Sequence, residues 1–195
     1  MRRFDEGVSM SAGHVVGIDD APFPRGHRGD VMIVGTVFSG PRLDGVLSSR
    51  VRRDGVDATD RIEAMIGGSR FAAQLAVVML QGIALAGFNV VDIHCLHESL
   101  GLPVLVVARR SPDLDAIRRA LFANVPGGRR KWNLIERAGP MEPAEALWIQ
   151  RAGLDIDQAR AVIRRHARES LLPEPVRTAH LIAGGVTTGE SRQRA

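Results

Sequence analysis

Val-Val-Gly-Ile-Asp-Asp fills residues 15–20, an apolar run that stops on two adjacent carboxylates. Read as a strand, it delivers Asp19 and Asp20 to the tip of a sheet and supplies half of a metal site. Read as a turn entry it is equally regular, since Asp bonds its own backbone and Pro22 forbids further ladder pairing. The chain on either side decides between the two.

Val31 to Phe38 is a dense β-branched run, and Gly40-Pro41 and Asp44-Gly45 punctuate the residues after it. Val46 to Val51 alternates apolar with polar residues, as a half-exposed strand does, and Asp54-Gly55 stops it. With residues 14–19 these form an antiparallel meander. From Asp57 the period becomes helical through Ile62, Met65 and Ile66, with Asp57 or Thr59 as cap and Gly67-Gly68 as stop. Residues 74–80 are apolar without alternation, the pattern of a central strand buried on both faces. A helical stretch through Val90, Ile93 and Leu96 closes at Gly101, and Pro103 to Ala108 is a second buried strand. Ser111-Pro112-Asp113 opens a helix with Leu114, Ile117 and Leu121 on one face. A short helix is expected around Trp132 within the Gly/Pro/Arg-rich region 126–143, and a last short strand from Ala146 to Gln150. Asp155 or Asp157 starts another helix, and Pro173-Glu174-Pro175 precedes a final one from Val176 to Ala183.

The resulting β-β-β-α-β-α-β-α order predicts an α/β protein with a mixed five-stranded sheet flanked by helices. This is the order of the ribonuclease H-like fold, an association that does not by itself fix chemistry. The 195 residues read as a single domain, with flexible ends at about 1–13 and 184–195.

Hydrophobic residues at 45% and charged ones at 25% are ordinary globular values. Cys95 is the lone cysteine, so no internal disulfide can form. No apolar stretch follows the first residues as in a signal peptide, and none approaches the roughly 18 residues of a membrane span. The expected setting is the cytoplasm, with no membrane partner. The net charge is +4, and Lys131 is the only lysine among clusters such as Arg50/Arg52/Arg53, Arg129/Arg130/Lys131 and Arg164/Arg165/Arg168. Arginine grips phosphate in a bidentate fork, which suits nucleic acid, but interspersed carboxylates make solvated helix faces an equal reading.

Several segments carry a closer resemblance. Gly-Ile-Asp-Asp-Ala-Pro-Phe (17–23), Val-Asp-Ala-Thr (56–59), Gly-Phe-Asn-Val-Val-Asp-Ile (87–93), Gly-Leu-Pro-Val (101–104) and Pro-Glu-Pro-Val-Arg-Thr-Ala-His-Leu-Ile-Ala (173–183) resemble the endonuclease dU family, a small, mainly archaeal group. That family is similar in turn to endonuclease V, which cuts DNA or RNA near deaminated bases with a divalent metal on a ribonuclease H-like fold. The resemblance places the first metal carboxylate on Asp19 and puts Asp57 where endonuclease V has a catalytic glutamate. It puts Gln81-Gly82 where that enzyme has Asp-Gly, and the region Ala152–Asp155 near its last catalytic position.

The resemblance implies a divalent-metal-dependent endonuclease using Mg²⁺ or Mn²⁺ on uracil-containing or deaminated nucleic acid, DNA being favoured over RNA. Asp19, Asp57 and Asp155 are the expected catalytic and metal residues. Asp20 is left to a turn or a supporting role, because strand alternation points it to the opposite face. Gln81, Gly82, Phe88, Asn89 and Arg177 are the expected nucleic-acid contacts, with helix capping an equal reading for Asn89 and core packing for Phe88. Gln81 departs from the pattern, since an amide oxygen ligates a hard cation without neutralising it. The alternative function is a catalytically weak nucleic-acid-binding or structural protein on the same fold. His94, Cys95 and His97 lack a second cluster of zinc spacing, and His180 reads as a packed or capping histidine, with phosphate contact open from its place beside Arg177.

Overall fold

The structure, a computed structural model, describes residues 13–168 and 170–191. Its strands are β1 (His14–Asp20), β2 (Asp30–Ser39), β3 (Arg42–Arg52), β4 (Leu75–Gln81), β5 (Ala84–Leu85), β6 (Asn89–Val90), β7 (Val104–Ala108), β8 (Glu142–Ala144) and β9 (Leu147–Ala152). Its helices are α1 (Ala58–Gly67), α2 (Ile93–Leu100), α3 (Leu114–Asn124), α4 (Gly128–Arg137), α5 (Ile156–His166) and α6 (Glu174–Thr188). Asp92, Asp113 and Asp155 cap α2, α3 and α5 through their side chains, and Asp155 with Gln158 closes a capping box.

The main sheet has seven strands, in the order β3-β2-β1-β4-β7-β9-β8, where five were expected. The five expected strands lie consecutively in it, β1, β4 and β7 parallel and β2 antiparallel to both of its neighbours. Beyond β7, β9 and β8 add an antiparallel hairpin. β8 escapes a sequence reading because Glu142-Pro143-Ala144 has neither alternation nor β-branched residues, and its proline suits only a sheet edge. The opposite edge, β3, alternates half-buried and exposed residues and carries Arg42, Arg50 and Arg52, charges that discourage edge-to-edge pairing.

The stretch expected to be helical from Val90 starts differently. Asn89-Val90 pairs with Ala84-Leu85 in a hairpin turned at Ala86 and Gly87, and α2 begins only at Ile93. Ala86 adopts φ 48° and Gly87 φ 87°. A left-handed alanine is strained, and hydrogen bonds from its N–H to Asp20 and to its carbonyl from the Asp54 N–H hold it there. Residues 184–188, expected to fray, continue α6, whereas residues 1–12 and 192–195 lie outside the described residues.

Helices cover both faces of the sheet. α1 and α2 bury Ile62, Ile66, Ile93 and Leu96 against Ile18, Ile33, Leu80 and Val106. On the other face α5 places Val162 and Ile163 against Leu105, Val107 and Ile149, and α6 runs along β1 and β2. The start of α6 seats directly on β1 at Gly17, where a β-carbon would lie 2.2 Å from the Pro175 carbonyl carbon. The buried Thr36 hydroxyl donates to the Pro175 carbonyl at 2.6 Å and ties the same turn to β2. α3 and α4 pack together over the small hairpin through Val90, Leu121 and Ile135. Among the described residues no helix is long and apolar enough to cross a membrane.

Candidate functional site

The parallel strands β1 and β4 end on one edge of the sheet, and register decides what stands there. Ile18 pairs with Leu80, so Asp19 and Gln81 come level one residue further on. Gly17 faces α6, and Val77 and Met79 pack with Val176 of α6. Alternation therefore puts Asp19 and Gln81 side by side under that helix.

Asp19 is 5% exposed, and its Oδ2 lies 2.7 Å from Nδ1 of His180 on α6. Burial raises the Asp19 pKa, and the hydrogen bond and charge of His180 offset part of that rise. The same hydrogen bond raises the His180 pKa, against desolvation and the nearby Arg109. Beside this pair the Gln81 Oε1 is buried without a hydrogen-bond partner. Buried oxygens are almost always satisfied, so an orphaned one at a strand end marks a place for a donor or a cation.

Asp20 turns to the opposite face, where Oδ2 accepts the Ala86 N–H at 2.9 Å. Its pKa is raised to about 6 by burial and by the charge of Asp19. Asp20 is thus both the clamp on the strained hairpin and the electrostatic neighbour of Asp19, a larger part than the turn or support read from sequence.

Asp57 stands on the same edge but two strands away, in the connection from β3 to α1. Its Oδ1 accepts from Asn89 Nδ2 at 2.7 Å and from the Arg52 N–H at 3.1 Å, and Arg61 Nε lies 3.4 Å from Oδ2. Partial burial works to raise its pKa, but these hydrogen bonds outweigh it and hold the group below the usual carboxylate value. Asp155 is not brought to this edge. β9 runs antiparallel to β7 and ends where Ala152 pairs with Val104, while Gln81 pairs with Val107 at the other end of β7. At strand spacings this separates the end of β9 at Ala152, three residues before Asp155, from Asp19 by about 10 Å along the strands and about 14 Å across them. Among the described residues, no three His, Cys, Asp or Glu side chains converge as metal ligands.

Of the expected nucleic-acid contacts, Gly82 is open: its φ is 79°, and nothing lies within 4 Å of where a β-carbon would stand. Phe88 is half-buried against the cluster around Val90, and its N–H donates to Asp54 Oδ1. Arg177 Nη2 pairs with Glu174 at 2.8 Å. Asn89 is fully buried and structural: Oδ1 accepts the Ala58 N–H, and Nδ2 donates to the Arg52 carbonyl and to Asp57. Asn89→Ala should therefore destabilise the protein by about 3 kcal/mol, read as a lower urea midpoint, because it strands buried donors and acceptors. A wild-type midpoint would contradict the structural role. Lys131, counted with a basic cluster, is 1% exposed and donates to the Asp54 carbonyl, so it offers no surface charge.

His180 reads from sequence as a packed or capping histidine, and the structure places it on Asp19. Its signal was present: Val176, Ala179 and Ala183 at helical spacing mark the buried face of α6, and His180 sits beside them.

Residues 11–187 match the sequence model of the family described as endonuclease dU. A UPF0215 protein of Deinococcus radiodurans is 58% identical over 178 residues, 91% of each chain. The crystal structure of a protein of unknown function from Archaeoglobus fulgidus is similar at 33% identity and a TM-score of 0.85, over 91% of this chain and 99% of that one. Endonuclease V of Ciona intestinalis, solved with a 24mer DNA containing an inosine followed by a ribo-adenosine, shares the fold at a TM-score of 0.56 and 10% identity, over 86% of this chain and 83% of that one.

Proposed function

The chain belongs to the endonuclease dU family, and from that premise we propose that it is a divalent-metal-dependent endonuclease that hydrolyses a phosphodiester at the Asp19 edge of the sheet. The fold reading that goes with this is ribonuclease H-like, resting on the consecutive order β3-β2-β1-β4-β7. The observation that carries the chemistry is the orphaned Gln81 oxygen level with a buried carboxylate. Asp19 and the orphaned Gln81 oxygen form an oxygen donor pair, and the charge of Asp20 behind them, with both carboxyl pKa values raised, fits a hard cation such as Mg²⁺ or Mn²⁺. When bound, the ion supplies activation of the attacking water and offsets charge on the phosphate. In this reading Asp57 is a holder of the edge loop, and Asp155 is an N-cap outside the site.

His180 fixes Asp19 by engaging Oδ2, so that the other carboxylate oxygen would be the one to ligate an ion. Gly82 keeps the strand end open to a phosphate backbone, and Arg109 at the end of β7 contributes positive charge. Uracil-containing or deaminated DNA is the proposed substrate, supported by the inosine-containing DNA bound to the Ciona enzyme of similar fold. End-labelled single- and double-stranded oligonucleotides with one deoxyuridine, one deoxyinosine or neither test this in Mg²⁺, Mn²⁺ and EDTA. Cleavage of the modified strands with either metal, and none in EDTA, is expected. Binding without cleavage in both metals would favour a binding protein, the reading to which the neutral Gln81 lends support.

As a positioning residue His180 has its own signature. His180→Ala should lower cleavage about 10- to 100-fold and raise the metal concentration for half-activity, the usual cost of losing a group that orients a metal ligand. His180→Asn, whose amide can donate to Asp19, should recover most of both. Equal loss in the two variants would reject the orienting role.

A further inference from the structure

We propose that the cavity between the β1–β2 loop and the end of α6 receives one nucleobase of the strand being cut, an inference that rests on the nuclease reading of the Asp19 edge. The cavity measures about 320 Å³ and is walled by Pro22, Phe23, Pro24, His27, Arg50 and Val186. That volume suits one base or nucleotide rather than a larger ligand.

Its placement ties it to the candidate site. The Ala21 N–H donates to the Met32 carbonyl directly after Asp20, and Met32 pairs with Arg50 across β2 and β3. Val186 lies six residues after His180 on the same helix, about 9 Å along its axis. On a stacked strand rising about 3.4 Å per base, that is a position two or three bases from a phosphate at Asp19.

Chemistry selects the occupant. Two prolines, Phe23 and the 69% exposed Val186 offer an apolar wall for a planar ring. Arg50 lines the cavity, Arg25 and Arg28 are exposed on its β1–β2 loop, and Arg52 lies 3.5 Å from the wall's Asp30 carboxylate. An apolar slot with a cationic rim matches a base with its phosphates. The loop is set in advance: Arg53 Nη1 donates to the Arg25 and His27 carbonyls at 2.5 Å each, and the guanidinium lies 5.4 Å from the Phe23 ring centre.

The test is fluorescence anisotropy of a labelled single-stranded 20-mer in EDTA at low salt, so that binding is read whether or not any strand is cut. One abasic position is walked along the oligonucleotide. For wild type, abasic placement at one or two adjacent positions should weaken binding about tenfold. Phe23→Ala should weaken the intact strand by a similar factor and flatten the abasic profile, and Arg50→Gln should reduce the slope of log affinity against log salt by about one. Val186→Glu, at an exposed position where folding is not at risk, places a carboxylate in the slot and should match the loss in Phe23→Ala. A flat wild-type profile, or wild-type affinity in Val186→Glu and Arg50→Gln, would overturn the subsite. Failure of every strand to be cut in Mg²⁺ or Mn²⁺ would instead count against the nuclease reading.

Discussion

Asp19→Asn is expected to reduce metal-dependent cleavage by about a thousandfold or more and, at the same time, to raise the melting temperature of the metal-free protein at neutral pH. Burial raises the pKa of both neighbouring carboxyls, and the charge of Asp19 further opposes ionisation of Asp20. The sign follows from linkage. A carboxyl whose folded pKa lies above its unfolded value stabilises the fold below the unfolded pKa, and that stability is lost as pH rises through the folded one. For Asp20 the window runs from 3.8 to about 6, and above it the charged form costs about 2 to 3 kcal/mol. His180, with its raised pKa, works in the same direction, its pairing with Asp19 losing effect as pH rises. The asparagine keeps an acceptor for His180 and removes the charge, so its advantage over wild type should widen between pH 5 and pH 8, reaching about 3 to 6 °C. Added Mn²⁺ should raise the wild-type melting temperature and leave the variant where it is. Undiminished cleavage would remove Asp19 from the chemistry, and a gap independent of pH would remove the electrostatic cause.

Gly17→Ala should fail in the opposite manner, losing stability and activity together. A β-carbon at this position lies 2.2 Å from the Pro175 carbonyl carbon and 2.4 Å from the Val176 nitrogen, atoms of backbone that cannot rotate away. α6 must lift from β1, which weakens the Thr36 hydrogen bond to Pro175 and draws His180 from Asp19. Overpacking of this severity costs about 3 kcal/mol, read as a shifted urea midpoint with cleavage reduced in parallel. A wild-type midpoint would mean that α6 is not seated on Gly17. The contrast between the two variants separates chemistry from packing: one loses activity while gaining stability, the other loses both.

Much of this architecture is written locally. β1, β4 and β7 are legible as apolar runs, β3 as an alternating strand, and the starts of α3 and α5 at Ser111-Pro112-Asp113 and Asp155 as polar residues ahead of apolar periodicity, whereas the cap of α2 is Asp92 where Asn89 was the expected candidate. The carboxylate pair at the end of the first strand is legible too, because a strand's end is fixed by what stops it, here Pro22. The small hairpin at Ala84–Val90 was not, since its turn holds a left-handed alanine that only Asp20 and Asp54 keep in place.

By itself, then, the sequence determined most of the elements, the family and the carboxylate pair at the end of β1. The tertiary structure decided who stands beside it. Asp19 and His180 are 161 residues apart in the chain and meet only because α6 returns across β1. Asp155 leaves the site because β9 runs antiparallel to β7, and a buried apolar strand reads the same in either direction. Hydrophobic period encodes which face of an element is buried, whereas strand direction and the partner across a contact are set by how distant segments pack together.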